Sequence, residues 1–473
     1  MTPSNKSLSR REFLRAAGIA GVGLGLAACV APAAPAAPAA PAAPAAAGAT
    51  AAPAAPAAAA AAKKTVVMGV IPGPPAKLWQ AEAEEYKKVV PEFEVTVNVA
   101  GGGETEWKPN FPQIAMSSDK PDIAWYWMDG RQYQDLVAAN ALEPLDDLYE
   151  KEGWNKVFPE SVLKNYTSPD GHKYAVSNEV NTYPIIYYNI ELFDKAGVKP
   201  PANGVYYESV DEWYAVCDKL RAAGLEAVTV GTKEGWRIGH CHDVLLQRMV
   251  PQDLFDDLLV NWRPGSQPKA HYTGPEWLAA DKMLKEWFDK KVFAEGDLGR
   301  NYAEGRALFV QKKAAMYQDG VWAIDILRGE APDMKFGWFL YPQVKADVKP
   351  KFLMYAGSAI MVLKGAHYLD DIKKFLAWHY TPERQLWQTK FSGTVTPRTD
   401  LGDKLYAVMD PMLKDVWQQM IKAGTGTGWD DPVPADMAEK SFILFQEMLT
   451  GARAPEAVGQ EIEKLAEAHR QKK

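Results

Sequence analysis

From residue 63 onward the chain alternates short apolar runs with segments of helical period. The β-branched run 65–71 is closed by Pro72-Gly73-Pro74-Pro75, and in 77–90 the residues Leu78, Ala81, Glu85 and Val89 fall on one helical face. Residues 94–99 alternate as a strand and run into Gly101-Gly102-Gly103, a chain reversal. The spacing then predicts a helix over 107–117, a buried strand over 122–127 and a helix over 132–139. Strand and helix in strict alternation predict a parallel sheet covered on both faces. Further on, Ser209-Val210-Asp211-Glu212 reads as a capping box opening a helix to about 223, and 227–230 returns as a strand. Helices over 276–290 and 302–311, strands near 314–317 and 336–340, and a mostly helical end from about 368 complete an α/β pattern without internal repeats.

The first 62 residues break this pattern. A basic stretch, Ser9-Arg10-Arg11-Glu12-Phe13-Leu14-Arg15, precedes a 13-residue Gly/Ala/Leu run, too short to span a bilayer and suited to the core of a signal peptide. The paired arginines resemble a twin-arginine export signal, and Leu26-Ala27-Ala28-Cys29 looks like a bacterial lipobox that would make Cys29 the lipidated first residue of the mature protein. Residues 1–28 are therefore expected to be a signal peptide. Residues 29–64 are expected to be a lipid-bearing, Ala/Pro-rich linker. Pro recurs at every third position from Pro32 to Pro44, which suits polyproline II and blocks a continuous helix, so this stretch reads as a stalk.

Composition narrows the classes. The 473 residues contain three Cys, too few for a disulfide scaffold, and carry a formal charge of −7. Without the four basic residues and one acidic residue of the first 62 positions, the body stands at −10, so nucleic acid is an unsuitable partner. All 16 Trp lie in the body, where flat amphipathic rings serve both as core and as plates for sugar faces. No GxSxG, HExxH or Walker loop occurs in the body. His240-Cys241-His242-Asp243 carries metal-ligating residue types, but neighbours on one element point different ways, so neither a metal nor a cofactor is expected. Cys217 and Cys241 could form a disulfide or remain two buried thiols.

Several stretches carry a family resemblance. Gly171-His172-Lys173-Tyr174-Ala175-Val176, followed by Ile186-Tyr187-Tyr188-Asn189-Ile190-Glu191-Leu192-Phe193-Asp194-Lys195-Ala196-Gly197, resembles the signature of the family 1 extracellular solute-binding proteins, the substrate receptors of carbohydrate ABC importers of the maltose-binding type. Phe111-Pro112-Gln113 with Pro121-Asp122-Ile123, Ala314-Ala315-Met316 with Gly320 and Trp322, and Ser392-Gly393 with Thr396-Pro397-Arg398 agree in order. Ser177, Ile185 and Lys312 depart from the pattern. The loop Pro72-Gly73-Pro74-Pro75 lacks the Asp/Lys pair of maltose binders, which points away from maltose itself.

The resemblance implies a two-lobed α/β fold of the type II periplasmic-binding-protein kind, with a hinge and an interlobe cleft. Lobe one is expected over 65–180 and 358–405, and lobe two over 181–357 and 406–473, with crossings near Val180 and Gly357. It further implies a monomer, anchored to the membrane at Cys29, that passes a small carbohydrate to ABC permease subunits and performs no catalysis. Ligand would lie beyond the carboxyl ends of the strands. The candidates are Tyr126, Trp127, Asp129 and Arg131 after the third strand, Glu179 or Asn181 at the first crossing, Glu234 and Trp236 after strand 227–230, Trp322 as the main stacking ring, and Trp429 on the loop after Gly428. Two readings stay open beside this one: a secreted, Trp-rich glycoside hydrolase with paired carboxylates, and a receptor for a polyol or glycerol phosphodiester.

Overall fold

The computed structural model describes residues 63–472, apart from positions 129, 169 and 356 and the side chains of residues 104, 105, 130–132 and 355. The signal and linker expectations at 1–28 and 29–62, Cys29 included, lie outside the described residues, as does Asp129.

Twelve strands occur among the described residues: β1 (Lys64–Val70), β2 (Phe93–Val99), β3 (Ile123–Trp127), β4 (Ala175–Ser177), β5 (Asn181–Tyr183), β6 (Ile185–Asn189), β7 (Glu226–Thr229), β8 (Ala314–Asp319), β9 (Phe336–Phe339), β10 (Phe352–Tyr355), β11 (Ser358–Val362) and β12 (Thr425–Gly426). They build two sheets and a small junction. Lobe one holds the order β2-β1-β3-β11-β4, lobe two holds β7-β8-β6-β9, and β12-β10-β5 lies where the chain crosses between them. The first three strands pair in parallel. The wholly parallel sheet expected from the alternation is corrected by β11, which runs antiparallel between β3 and β4. β11 enters this sheet directly from the junction, beginning three positions after the last residue of β10.

Local chemistry explains the elements. Pro74 and Pro75 open helix Pro74–Val89 at positions where a missing N–H costs nothing. The Ser209 side chain accepts from the Glu212 N–H at 3.1 Å and starts helix Val210–Ala222. Each lobe has its own core. In lobe one Trp79, Tyr86 and Phe93 meet Phe375 and Leu376 from the late helix Leu369–His379, which ties the sequence-distant segment to the first sheet. In lobe two Trp213, Trp277 and Trp287 pack with Phe339, Tyr341 and Phe445. Segment 393–405 runs along both lobes: Val395, Leu401 and Leu405 pack with Ile324 and Phe336, while the Thr399 N–H donates to the Val157 carbonyl at 2.8 Å.

The crossing at Gly357 is sterically exacting. Its φ is +74°, and a Cβ there would stand 2.5 Å from the Glu179 carbonyl oxygen, so the two crossing strands can touch only at a glycine. Cys217 and Cys241 are both free and buried, which selects the two-thiol reading.

Candidate functional site

A cavity of about 390 Å³ opens where the lobes meet. Lobe one contributes Pro72, Pro74, Leu78, Lys108, Trp125 and Trp127, lobe two contributes Trp236, His240, Tyr302, Trp322, Asp430, Asp431 and Phe442, and the crossing contributes Asn178, Glu179, Asn181 and Tyr183.

The lobe-two wall is built on a buried ion pair. Arg237, fully buried, meets Asp319 at 2.7 Å and donates to the Val230 carbonyl at 3.2 and 3.1 Å; it also donates to the Gln318 carbonyl. Breaking such a pair strands a charge in the interior, so it holds its neighbours in one geometry. Asp319 also accepts from the Tyr302 hydroxyl at 2.9 Å and the Tyr317 hydroxyl at 2.6 Å. The guanidinium lies 4.8 Å from the Trp236 ring centroid and 5.1 Å from that of Tyr302, which orients both rings at the cleft. His240, one turn after Trp236, stacks on Tyr183 with centroids 3.9 Å apart. Burial and the Arg237 charge hold its imidazole well below the ordinary histidine range, so it is neutral.

Trp322 precedes helix Ala323–Glu330 and lies partly exposed in the cleft, its centroid 6.5 Å from those of Tyr183 and His240. Gly320 permits this placement, because a Cβ at that position would run into the indole ring. Across the cleft, Trp127 is half-buried at the end of β3, packed on Trp125 at 4.7 Å, with the Lys108 ammonium 5.5 Å from its ring. At the crossing, Glu179 accepts from the Ser358 hydroxyl at 3.0 Å, and burial raises its carboxyl above the usual range. Asn178 Oδ1, Asn181 Oδ1 and His240 Nδ1 are buried without hydrogen-bond partners on residues that line the cavity. Unpaired buried acceptors are costly and are answered by a ligand or water.

Of the sequence candidates, the structure brings Trp127, Glu179, Asn181, Trp236 and Trp322 to one cavity. Three others are corrected. Tyr126 faces the opposite side of β3 from Trp127, as successive strand residues must; it is fully buried, and its hydroxyl donates to the Lys108 carbonyl at 2.7 Å. Glu234 accepts the Tyr302 N–H at 2.8 Å and so anchors a helix start behind the wall. Trp429 is 1% exposed, donating to the Tyr272 hydroxyl at 3.3 Å and packing on Trp277 at 4.8 Å. Its loop does reach the cavity, but through Asp430 and Asp431, because the large apolar ring wins the interior and the carboxylates are left outward. The Arg131 side chain lies outside the described residues.

Sequence reasoning missed Asp430, Asp431, Tyr183, Tyr302 and Phe442, and it weighed His240 only as a metal ligand. The i, i+4 spacing of Trp236 and His240 would have signalled a shared helix face. The four residues of the His240–Asp243 run point apart: His240 to the cleft, Cys241 to Gln318 and Tyr341, His242 to Asp281 at 3.0 Å, and Asp243 toward Asp430.

The sequence profile of bacterial extracellular solute-binding proteins matches residues 72–386. A probable sugar-binding periplasmic protein of Brucella suis is 26% identical over 319 residues, 65% of this chain and 68% of that protein. An ABC transporter extracellular-binding protein of Pyrococcus horikoshii is 24% identical over 355 residues, 73% of this chain and 74% of that one. Among solved structures, a chitin oligosaccharide binding protein superposes with a TM-score of 0.74 at 20% identity, over 87% of this chain and 100% of that chain. An ABC transporter solute-binding protein from Thermotoga lettingae, bound with α-D-tagatose, gives 0.70 at 19% identity over 86% and 100%. At these identities the structural likeness speaks for the two-lobed type II fold. With the profile covering more than half of the chain and taking in strands β2 to β11, the chain belongs to the bacterial extracellular solute-binding protein family.

Proposed function

We propose that this protein is the lipid-anchored, extracytoplasmic receptor of an ABC importer, which captures a small carbohydrate between its lobes and delivers it to the permease. The observation that carries this reading is the cleft itself: indole faces at Trp127, Trp236 and Trp322 stand around buried, partnerless acceptors at Asn178 and Asn181. A pyranose has C–H faces for the first and hydroxyl donors for the second. The names of relatives, sugar-binding proteins among them, support the same ligand class. Trp127, Glu179, Asn181, Trp236 and Trp322 hold the sugar in this reading. Cys29 carries the anchor after export through the twin-arginine route, and residues 29–64 act as the stalk. The lobes divide at 65–180 with 358–405 and 181–357 with 406–473, and the receptor works as a monomer without cofactor or catalysis.

The family favours this receptor over a glycoside hydrolase, and the carboxylates lining the cleft disfavour a glycerol phosphodiester. Thermal-shift screening against a carbohydrate panel tests the reading, since a ligand that binds only the folded state raises the melting temperature. A rise with at least one saccharide, and no new reducing ends on incubation with glycans, is expected. Release of reducing ends would replace the receptor reading with a hydrolase.

A further inference from the structure

The first loop of lobe one is chemically one-sided. Ile71, Pro72, Pro74 and Pro75 line the cleft where helix Pro74–Val89 begins. A helix start at a cleft edge ordinarily presents free backbone N–H groups to the oxygens of a ligand. Here proline at the first two helical positions, and at 72, removes three N–H groups, and the Lys77 N–H is already bonded to the Gly73 carbonyl at 3.2 Å. What this loop gives the cleft is hydrocarbon.

Lobe two adds hydrocarbon of its own. In helix Ala323–Glu330 the residues Ala323, Ile324 and Leu327 turn into the core, whereas Ile326, one turn after Trp322, is half-buried and lines the cleft. One further helix, Pro382–Ser392, touches both elements. Its Arg384 pairs with Glu82 of helix Pro74–Val89 at 2.7 Å, and just beyond its end a Cβ at Gly393 would stand 3.2 Å from Asp325 Cβ. The hydroxyls there, Ser392 and Thr394, also line the cavity but are committed to the protein: they share a hydrogen bond of 2.8 Å, and Ser392 donates to the Gln388 carbonyl at 2.9 Å. A sugar hydroxyl enclosed against such walls would lose its water without gaining a partner, which is destabilising, whereas an apolar group would take both walls out of water.

We propose that the ligand is a glycoside with an apolar aglycone: its sugar lies at the crossing and against the cleft tryptophans, and its aglycone lodges between the proline loop at 72–75 and Ile326. This rests on the reading of the cleft as a saccharide site and names the substrate class of that site.

The test is titration calorimetry of the mature chain with the methyl and phenyl glycosides of glucose, galactose, mannose and xylose in both anomeric forms, and with phenol as the apolar control. For at least one sugar the phenyl glycoside is expected to bind at least about tenfold more tightly than the methyl glycoside, a difference of about 1.4 kcal/mol, and more tightly than phenol. Ile326→Asn and Pro75→Ser, which put a polar group on either wall, should each lower that preference, and Ile326→Leu should retain it; melting curves of the ligand-free variants check that each is folded. Equal affinity for methyl and phenyl forms overturns the inference and leaves the saccharide reading standing. Phenyl glycosides that bind no more tightly than phenol overturn the saccharide reading and the inference with it. Failure of every glycoside to bind overturns the inference, as does an undiminished preference in both Ile326→Asn and Pro75→Ser.

Discussion

Trp322→Ala separates a binding plate from a core residue. The indole is backed by Gly320 and packs at the edges of both lobe-two clusters, yet it remains partly exposed where it faces the cleft. A pyranose covering about 60 Å² of that face, roughly a third of what a buried aromatic removes from water, contributes about 1.5 kcal/mol at ~25 cal/mol per Å². The specific ring contact adds about 0.5 to 1.5 kcal/mol. Loss of both should weaken binding by about 2 to 3 kcal/mol, or roughly 30- to 150-fold. A fully buried tryptophan would cost about 3 to 5 kcal/mol of stability on truncation; with one face already in solvent, the stability loss here should stay near the lower end or below. Titration calorimetry with the tightest saccharide from the panel, paired with a melting curve, reads both quantities. Gly320→Ala gives a control that keeps the ring but forces it to move, and it too should weaken binding. Affinity within threefold of the parent, together with a melting temperature that falls as for a core deletion, would refute the assignment.

Four further outcomes follow from particular residues. Asp243→Asn should raise the melting temperature at neutral pH: the folded carboxyl titrates above its unfolded value, so the native state bears a penalty that begins above about pH 4 and grows as pH rises toward the folded value. The gain should therefore shrink as pH is lowered into the ordinary carboxylate range, and a gain independent of pH contradicts it. Native protein should resist thiol reagents at Cys217 and Cys241, whose thiols burial pushes up, the latter to about 12, and both should react once the chain is unfolded. Cys29→Ala should move the protein from the membrane to a soluble fraction with ligand affinity unchanged, and membrane retention would refute the anchor. Small-angle scattering should show a smaller radius of gyration on ligand addition, since a ligand touching both lobes favours the closed arrangement; an unchanged radius with proven binding argues for a rigid pocket.

Periodicity made the architecture legible because each lobe is an alternation of strand and helix with strong local signals: Pro74 and Pro75 at a helix start, Ser209 at another, and a β-branched run at β1. What local pattern could not carry was the direction of β11, which depends on a crossing set by Gly357 and Glu179, 178 positions apart in the chain. The same limit governs the site. Trp127, Trp236 and Trp322 were readable because each ends or follows a strand. Tyr126 and Trp127 are adjacent, and only the pleat decides which of them faces the cavity. At Trp429-Asp430-Asp431 the right loop was visible, but which side chain turned inward was settled by Tyr272 and Trp277, from a distant helix and the turn before it. Six of the tryptophans are among the largest fully buried side chains, so their abundance serves the two cores as much as the cleft.

The central claim, that a saccharide is held between the lobes, is tested most directly by a crystal structure of the protein grown with the tightest-binding saccharide. Ligand density is expected in the cleft, with ring faces against Trp322 or Trp127 and polar groups within hydrogen-bond reach of Asn181 and Asp431. Density at another surface, with the cleft holding only solvent while calorimetry shows binding, would contradict it.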